Sequence, residues 1–383
     1  MKFRIVSFNV NGLRSYNRFL QDQGLNFNDY LKNKLQATVL CVQESRGSQT
    51  DLTQFHTLTD YVTFSSLNNK NSGKYGVSTF IKKDFYCSGK ISQIQELKDF
   101  DGDGRYILTK HGDFDILNCY FPYLAETTYR SKEPADREKI QNALKFYYDI
   151  GRYLKRSPKT IILGDFNACY NIQDTYLYFK EARRIKNIGA DHKTRGSEIV
   201  LNESDLQIPD KNITSSDKKE NFSRSSVNQN FTTDIALDSY IEVYQNGRCP
   251  NPIISQTELP FMFQSMKYLN NYFFELPNRE WTYKLIYDGG FLDTFRLFSQ
   301  KNEVYTCWNQ ILNLRRVNLG TRIDLILIPK DMRHFLTNSN IFSEEYGSDH
   351  CPVYADFEML LKKEEKNILN RNNNLLSFFK KKK

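Results

Sequence analysis

Short runs rich in β-branched and aromatic residues recur along most of the 383-residue chain, and this recurrence restricts the possible folds more than any other feature. Apolar patterns of helical period lie among them, in residues 19–35, from Pro134 onward and near residues 279–287. Strands spread over the whole body favour two mixed β-sheets with helices on the outside. A doubly wound parallel sheet is the alternative, but no glycine-rich phosphate loop follows the first run. The strand-like runs are residues 3–10, 37–43, 61–66, 77–82, 106–110, 114–120, 160–163, 291–298, 322–328 and 352–359.

The excess positive charge is concentrated at one end of the chain. Lys and Arg number 53 against 45 Asp and Glu, a formal charge of +8, and residues 361–383 contain eight basic but only two acidic residues. The nearly neutral remainder argues against a uniformly cationic surface for nucleic acid.

The seven cysteines form no CxxC pair, which predicts buried thiols in a reducing compartment. No apolar leader or membrane-length apolar run occurs, so the cytosol or the nucleus is the expected location.

Three regions differ in composition. Residues 1–360 carry the strand and helix patterns and form the expected catalytic domain. Within them, regularity fades over residues 171–275, where a stretch rich in Ser, Asn, Asp and Lys predicts an irregular insertion. Residues 361–383 read as a basic, disordered tail.

Polar clusters follow several of the strand-like runs directly. Because sheets commonly present their active groups at one edge, such clusters predict one shared site even where each alone has a plain structural explanation as a turn or a helix cap. Asp324 adds an acid within an otherwise apolar run, where a carboxylate is costly unless it is paired or binds a cation. The clusters are Ser7-Phe8-Asn9-Val10-Asn11-Gly12-Leu13-Arg14, Cys41-Val42-Gln43-Glu44-Ser45, Asn118-Cys119-Tyr120-Phe121-Pro122, Leu163-Gly164-Asp165-Phe166-Asn167 and Gly347-Ser348-Asp349-His350-Cys351-Pro352.

The residue types in these clusters suit metal-assisted hydrolysis of a phosphodiester. Glu44, Asp349 and the amide oxygen of Asn9 are hard oxygen ligands, which fit Mg²⁺ or Mn²⁺ better than zinc. A bound divalent cation polarises a phosphoryl oxygen and offsets charge on the leaving oxygen.

The remaining cluster residues suit proton transfer and charge stabilisation. Asp165 can take the proton from an attacking water, and Asn167 can orient that water or the phosphate. His350, if held by Asp324, is biased toward imidazolium and becomes a donor to a phosphate oxygen. Tyr120 adds a hydroxyl donor.

These residues and their order resemble the exonuclease III branch of the endonuclease/exonuclease/phosphatase superfamily. The resemblance lies in Phe8 to Arg14, Gln43-Glu44, Gly164 to Asn167, Arg322-Ile323-Asp324 and Ser348 to Pro352. Within this branch, the chain is most similar to type 2 apurinic/apyrimidinic endonucleases in Tyr305-Thr306-Cys307-Trp308-Asn309 and in Asn318 to Asp324. The whole resemblance covers about residues 1–170 and 276–360.

The resemblance implies a fold, a metal site and catalytic roles. It implies a four-layered α/β sandwich, with a metal at Glu44 and with Asn9 and Asp349 nearby. Asp165 is then the acid/base residue, Asn167 the transition-state stabiliser, Asp324 with His350 a catalytic pair, and Tyr120 the active-site tyrosine. The candidate metal-ligating residues are Glu44, Asn9, Asp165, Asn167, Asp349 and His350.

Two departures from the related type 1 enzymes concern the abasic-site pocket. Aromatic residues that precede the Trp308 and Arg322 positions in those enzymes are replaced here by Cys307 and Thr321. A looser, more polar pocket is the expected consequence, with 3′-end trimming favoured over abasic-site incision. Trp308 itself is expected in the core, as large aromatic residues usually are.

A second resemblance lies in the tail. Residues 372–379, Asn-Asn-Asn-Leu-Leu-Ser-Phe-Phe, are similar to a sliding-clamp binding box, with Leu375, Phe378 and Phe379 as its apolar anchors. A short apolar plug on a basic segment suits folding upon a grooved, acidic partner. The alternative is a charged terminus that serves solubility or nuclear import.

Together these features predict a nuclear, monomeric DNA repair nuclease that requires Mg²⁺ or Mn²⁺. Its expected substrates are duplexes with abasic sites or blocked 3′ ends, and its expected partner is a sliding clamp. One alternative keeps the fold but acts on other DNA, as a phosphodiesterase or a retroelement-type endonuclease. The other is a non-catalytic scaffold that binds clamp and DNA, which the complete set of polar cluster residues disfavours.

Overall fold

The computed structural model describes residues 1–71, 73–85, 93–189, 259 and 262–359. No helix in these ranges is both long enough and apolar enough to cross a membrane. The β-strands are β1 Lys2–Asn9, β2 Val39–Gln43, β3 Tyr61–Ser66, β4 Val77–Lys82, β5 Tyr106–Lys110, β6 Asp115–Tyr120, β7 Thr160–Asp165, β8 Phe291–Asp293, β9 Cys307–Trp308, β10 Gly320–Thr321, β11 Asp324–Pro329, β12 Leu336–Ile341 and β13 Val353–Glu358. The α-helices are α1 Leu13–Asp22, α2 Phe27–Asp29, α3 Glu126–Tyr129, α4 Pro134–Arg156, α5 Tyr176–Gly189, α6 Met266–Phe274 and α7 Pro277–Tyr287. A π-helical turn, Tyr30–Lys34, follows α2, and 3₁₀ turns span Thr53–His56, Gln95–Phe100, Ile172–Asp174, Leu314–Val317 and Lys330–Phe335.

The strands form two mixed sheets, as the sequence predicted. The larger has the order β12-β13-β1-β2-β4-β3, and the smaller has the order β5-β6-β7-β11-β8. The pairs β1/β2 and β6/β7 are parallel, whereas the remaining pairs are antiparallel. A separate two-stranded ribbon joins β9 to β10. Mixed sheets rather than a doubly wound parallel sheet are therefore confirmed.

Both faces of the central strands are apolar because each sheet lies between two hydrophobic layers. Ile5 of β1 and Ile161 of β7 belong to one core between the sheets, whereas Val6 and Ile162, one residue later, face outward. Successive strand residues point to opposite faces, so a continuous apolar run covers both. The outward face of the larger sheet packs on α1, and that of the smaller sheet packs on α4 and α7. The result is the expected four-layered sandwich.

One edge of the sandwich collects the ends of six strands. The carboxyl ends of β1 and β2 lie side by side because these strands are parallel, and so do those of β6 and β7. Antiparallel pairing brings the first residue of β11 opposite the last of β7, Asp324 opposite Asp165. The start of β13 lies beside the end of β1 for the same reason. The predicted polar clusters therefore meet at one edge.

Gly164 permits the close approach of β6 and β7 just before Asp165. Its φ is +136°, and a Cβ added there would lie 1.8 Å from the carbonyl oxygen of Cys119. Only glycine avoids both the strain and the clash. The cluster Leu163-Gly164-Asp165 therefore needs its glycine for packing, which delivers the Asp165 side chain to the edge.

Some predicted elements were wrong in their limits. The helix expected over residues 19–35 begins earlier, at Leu13, and is interrupted between α1 and α2. The run 291–298 is a strand only over Phe291–Asp293. The edge strand β12 was missed because its sequence, LTNSNI, is largely polar and half exposed.

Cys41, Cys119, Cys169 and Cys351 are buried free thiols, as predicted, and Cys307 is half-buried.

The two ends of the segment 171–275 are helical rather than irregular. Helices α5 and α6 pack on each other through a core that includes Tyr178, Phe179, Leu269 and Phe273. Arg184 ties them further, because it pairs with Glu181 and donates to the carbonyl oxygen of Phe263. Helical apolar spacing in these short stretches was hidden by the polar composition between them. Residues 190–258 and the tail 361–383, with its predicted clamp anchors, lie outside the described residues.

Candidate active site at the strand ends

Asn9, the last residue of β1, links two acids that come from different sheets. Its Nδ2 donates to Glu44 Oε1 at 3.2 Å and to Asp165 Oδ2 at 2.9 Å. Its Oδ1 accepts the backbone N–H of Asn11 at 3.1 Å, which fixes the orientation of the amide. Asn9 is fully buried, so these bonds are shielded from water. One amide therefore sets the spacing of Glu44 and Asp165.

Glu44 receives three donors directly after β2. Tyr120 OH donates to Oε1 at 2.8 Å, beside the bond from Asn9, and the guanidinium of Arg46 contacts Oε2. Burial and the neighbouring Glu44 and Asp165 carboxylates raise the pKa of Tyr120 well above its usual value, so its hydroxyl keeps its proton. Tyr120 therefore acts first as a donor to Glu44.

His350 and Asp324 form a buried hydrogen-bonded pair. The imidazole Nδ1 lies 2.7 Å from Asp324 Oδ2, and Nε2 points toward Asp165 Oδ2 at 3.9 Å. Burial opposes the charged imidazolium, yet the Asp324 carboxylate raises the pKa of His350 well above its usual range. The hydrogen-bonded pair predicted from the sequence is thus present, and its Nε2 is directed into the site.

Thr306 positions both members of that pair. Its Oγ1 accepts the backbone N–H groups of Ile323 and Asp324, each at 3.1 Å. Its carbonyl oxygen accepts the N–H of Cys351 at 2.8 Å, directly after His350. Thr306 is fully buried, and it connects the start of β11 to the segment that carries His350.

Asp165 lies at the centre of the site, and the positive charge near it does not fully offset the cost of burying its carboxylate. Its Oδ1 accepts the N–H of Asn167 at 2.8 Å, and its Oδ2 accepts from Asn9. Burial and repulsion from Asp324 raise the pKa of Asp165 to about 7, although His350 and these two bonds oppose the shift. Asp165 is the candidate group whose proton is most easily exchanged near neutral pH.

Asn167 is held at the rim of the site by its backbone. Its φ is +47°, in the left-handed region, and its Nδ2 donates to the carbonyl oxygen of Phe121 at 2.9 Å. Its own carbonyl oxygen accepts from Asn278 of α7 at 3.2 Å. Strained backbone of this kind is concentrated at functional sites. Within the described part of the chain, one amide N–H and the side-chain oxygen of Asn167 remain for a ligand.

Asp349 occupies the side of the site nearest Asn11. Its Oδ1 accepts from Asn11 Nδ2 at 2.9 Å and from Ser348 Oγ at 3.3 Å. Ser348 Oγ also lies 2.8 Å from the carbonyl oxygen of Asn9, which anchors this segment to β1. The carboxylate is half-buried and faces the rim.

The donor set fits a hard divalent cation. Asp165, Asp324 and His350 place one possible ligand atom each within 4.8 Å of the others, and Oδ1 of the buried Asp324 has no hydrogen-bond partner. We nevertheless place the cation near Glu44 rather than on His350, since an imidazolium held by Asp324 offers no lone pair. The Glu44 and Asp165 carboxylates on either side of the Asn9 amide nitrogen offer the oxygen ligands that Mg²⁺ and Mn²⁺ prefer, whereas Asn9 Oδ1 faces the backbone N–H of Asn11.

Cys307 lies beside the Asp324–His350 pair, because it forms an isolated β-bridge with His350. Cys307 and Thr321 are cross-strand partners in the ribbon, and both are half-buried. Trp308 is buried in the core between the sheets, as predicted, and its indole Nε1 donates to Asn318. The loop that follows exposes Ile311 and Leu312, which are 95% and 49% accessible.

A buried ion network supports the strand that carries Asp324. Arg322 contacts both oxygens of Asp174, at 2.9 and 2.8 Å, and Asp293 Oδ2 at 2.7 Å. Arg296 pairs with Asp174 as well. Burial alone would raise the pKa of Asp174, but the two guanidinium groups lower it below its usual value. These charges are matched, and they fix the chain just before Ile323 and Asp324.

Sequence reasoning missed several residues that build the site. It named neither Arg46, Thr306, Arg105 nor the Arg322 network as functional. Arg105 stacks on Tyr75 with 4.1 Å to the ring centroid and donates to the carbonyl oxygen of Tyr120. Adjacency to Glu44 could have drawn attention to Arg46, whereas the others meet the site only through contacts between distant segments.

Comparison with known proteins gives one family. The model of the endonuclease/exonuclease/phosphatase family matches residues 6–197, half of the chain. The DNA-(apurinic or apyrimidinic site) endonucleases 2 of Schizosaccharomyces pombe and Saccharomyces cerevisiae are each 24% identical over 93% of this chain, covering 58% and 67% of their own lengths. The Xenopus laevis protein of that name is 27% identical over 92% of this chain and 59% of its own length. The chain thus spans about three fifths to two thirds of these relatives.

Among solved structures, the Xenopus laevis APE2 catalytic domain superposes with a TM-score of 0.55. The match covers 92% of this chain and 90% of that domain at 21% sequence identity. At this identity the likeness concerns the fold alone, and it agrees with two mixed sheets flanked by helices.

Proposed function

The chain belongs to the endonuclease/exonuclease/phosphatase family, and we propose that it is a divalent-metal-dependent DNA repair nuclease. It hydrolyses phosphodiester bonds at abasic sites and removes blocked 3′ ends. One observation carries this proposal: Asn9 joins Glu44 to Asp165, and His350 of the Asp324–His350 pair points toward the same Asp165 oxygen that Asn9 contacts. An acid for the cation, a proton acceptor and a donor are thereby brought together, as hydrolysis of a phosphodiester requires.

In this mechanism Asp165 accepts the proton of the attacking water. The water oxygen bonds to phosphorus, and the bond from phosphorus to the 3′ oxygen breaks. That oxygen takes up a proton from solvent water and leaves as a 3′ hydroxyl, and Asp165 returns its proton to solvent. Asn9 and the backbone of Asn167 orient the Asp165 carboxylate through one bond to each of its oxygens.

Negative charge that develops on the phosphate meets donors already in place. His350 Nε2 carries a proton that Asp324 keeps on the ring, and it points toward the centre of the site. Asn167 adds an amide N–H from the rim. Preorganised donors of this kind stabilise the transition state without reorganising.

The cation is held by Glu44, with Asn9, Asp349 and Asp165 nearby, and we propose Mg²⁺ or Mn²⁺. When bound, it polarises a phosphoryl oxygen and offsets charge on the leaving oxygen. Tyr120 and Asn9 keep Glu44 oriented by their bonds to Oε1.

Substrate choice follows from the surface around the site. The relatives are named for apurinic or apyrimidinic sites in DNA, which supports the same class of substrate here. The exposed Ile311 and Leu312 suit contact with disrupted base stacking beside the target nucleotide. The small, polar Cys307 and Thr321 favour 3′-end trimming over incision at an abasic site.

We also propose the partner and location that the sequence suggested. Leu375, Phe378 and Phe379 in the tail bind a sliding clamp, and the protein works as a monomer in the nucleus. The clamp proposal rests on the sequence pattern in residues 361–383.

One assay tests the core of the proposal. The purified protein is incubated with labelled duplexes that are abasic, 3′-blocked or intact, with EDTA or with Mg²⁺ or Mn²⁺. We expect cleavage of the first two only, lost in EDTA and restored by either cation. Turnover without metal would refute the mechanism, and equal nicking of intact duplex would indicate a different DNA substrate.

A further inference from the structure

Arg46 occupies the oxygen of Glu44 that the other donors leave free. Tyr120 and Asn9 both donate to Oε1, whereas the Arg46 guanidinium contacts Oε2. The Glu44 side chain is 13% exposed, and the Arg46 guanidinium lies against one of its two oxygens. A cation that binds Glu44 at that oxygen must compete with the guanidinium.

The backbone around this pair is fixed, so only the side chain can respond. Glu44 and Arg46 both have left-handed φ angles, +54° and +40°. The N–H groups of Ser45 and Arg46 donate to the carbonyl oxygens of Gly76 and Tyr75, at 2.8 and 2.9 Å. Left-handed residues persist only where the surroundings over-determine them. The segment therefore presents Arg46 to Glu44 at a constant position.

The Arg46 side chain is anchored by its ion pair with Glu44. It is 47% exposed, and within the described part of the chain Glu44 provides the one carboxylate within ion-pair distance of it. If a cation neutralises Glu44, the guanidinium loses its attraction and gains a repulsion. It remains at the rim of the site, and its planar fork is suited to a phosphate.

We propose that Arg46 is an exchangeable counter-ion of Glu44 that moves to the DNA backbone when the metal binds. Without metal it neutralises Glu44 and weakens the first binding of a cation. With metal it contacts a phosphate of the substrate, which couples metal binding to DNA binding. This inference rests on the proposed function, because it needs a cation at Glu44.

The first experiment measures metal binding without DNA or turnover. Isothermal titration with Mn²⁺ is compared for the wild type, Arg46→Gln and Arg152→Gln. Arg152 is the control because it is 43% exposed and pairs with Asp149 on α4. We expect Arg46→Gln to bind Mn²⁺ about fivefold more tightly, from the loss of one partly exposed ion pair, and Arg152→Gln to match the wild type. Equal affinity in all three would overturn the inference, whereas no binding to the wild type would overturn the metal site itself.

The second experiment measures how salt affects binding of an uncleavable abasic duplex. Each phosphate contact adds about 0.9 to the slope of log K against log salt. We expect Arg46→Gln and the wild type to share one slope in EDTA and to differ by about one contact in Ca²⁺. A difference of the same size in EDTA would show that Arg46 contacts DNA without exchange, and no difference in Ca²⁺ would show that it never reaches a phosphate.

Discussion

Two groups of buried carboxylates lie close together in this protein and differ in how their charge is balanced. In the network beneath the site, Asp174 and Asp293 face Arg322 and Arg296, and the guanidinium groups lower the pKa of Asp174. In the site, burial and Asp324 raise the pKa of Asp165 to about 7, and His350 is the one cation described beside it. Matched charges hold structure, whereas a carboxylate left short of positive charge is free to take part in chemistry.

Replacing Asp165 tests the reactive half of this comparison and has the largest expected effect. Asp165→Asn keeps the bond from the Asn167 N–H but cannot accept a proton from water. Cleavage of a 3′-blocked duplex should fall by roughly 10²- to 10⁴-fold. The free energy of unfolding should change by less than about 1 kcal/mol, because relief of repulsion from Asp324 offsets the lost bond to Asn9. Kinetics with urea unfolding measure both, and near-normal turnover would contradict the assigned role.

Breaking the matched network should affect stability first. Arg322→Met leaves Asp293 and part of Asp174 buried without their partner, which should lower the free energy of unfolding by about 3–5 kcal/mol. Urea unfolding of the variant is the measurement. Arg322→Met combined with Asp293→Asn is the matched control and should recover part of the loss, since it removes the stranded charge. A single variant as stable as the wild type would show that the network is not structural.

Among the described residues, the buried titratable group His111 has no charged partner, and its expected effect is smaller. It lies between Phe85 and Phe114, bonded to Thr109 Oγ1, and burial lowers the pKa of His111 to about 4. Between pH 6.5 and 4 the unfolded chain binds a proton that the folded protein does not. The contribution of His111 to the free energy of unfolding should therefore fall by roughly 3 kcal/mol as pH drops through that window and stay constant above it.

Comparing matched histidine variants isolates the contribution of His111, because the contributions of the other titrating groups cancel when the pH dependences are subtracted. His111→Gln should lose this part of the pH dependence of urea unfolding. His56→Gln, at a half-buried histidine bonded to Ser65, is the control and should keep it. If both variants follow the wild type, burial of His111 does not contribute to acid sensitivity.

Most of the fold could be predicted from local pattern. Strands β3, β4 and β5 have the expected limits because their alternation and bounding turns are local signals. The polar strand β12 and the break between α1 and α2 could not be predicted. Pairing with β13 makes the polar residues of β12 a strand, and tertiary packing determines where the helical segment is interrupted between α1 and α2.

The candidate site was predicted as a set of residues but not as an arrangement. Asn9, Glu44, Asp165, Asp324 and His350 were all identified by their place after or within apolar runs. The sequence could not indicate that Asn9 would bridge two acids, or that Arg46 would cover Glu44. Each of these facts depends on the direction of a side chain at a shared edge.

The sequence by itself determined which residues are apolar on both faces of the strands, and where polar groups follow them. These features are local, since they depend on side-chain alternation and on residues adjacent in the chain. Only the tertiary structure decided which buried carboxylates would have a partner that offsets their charge. Arg322 meets Asp174 across 148 positions, and Asn9 meets Asp165 across 156. The balance of charge at a buried carboxylate is set by strand pairing and register, which bring together segments that have no local relation in the sequence.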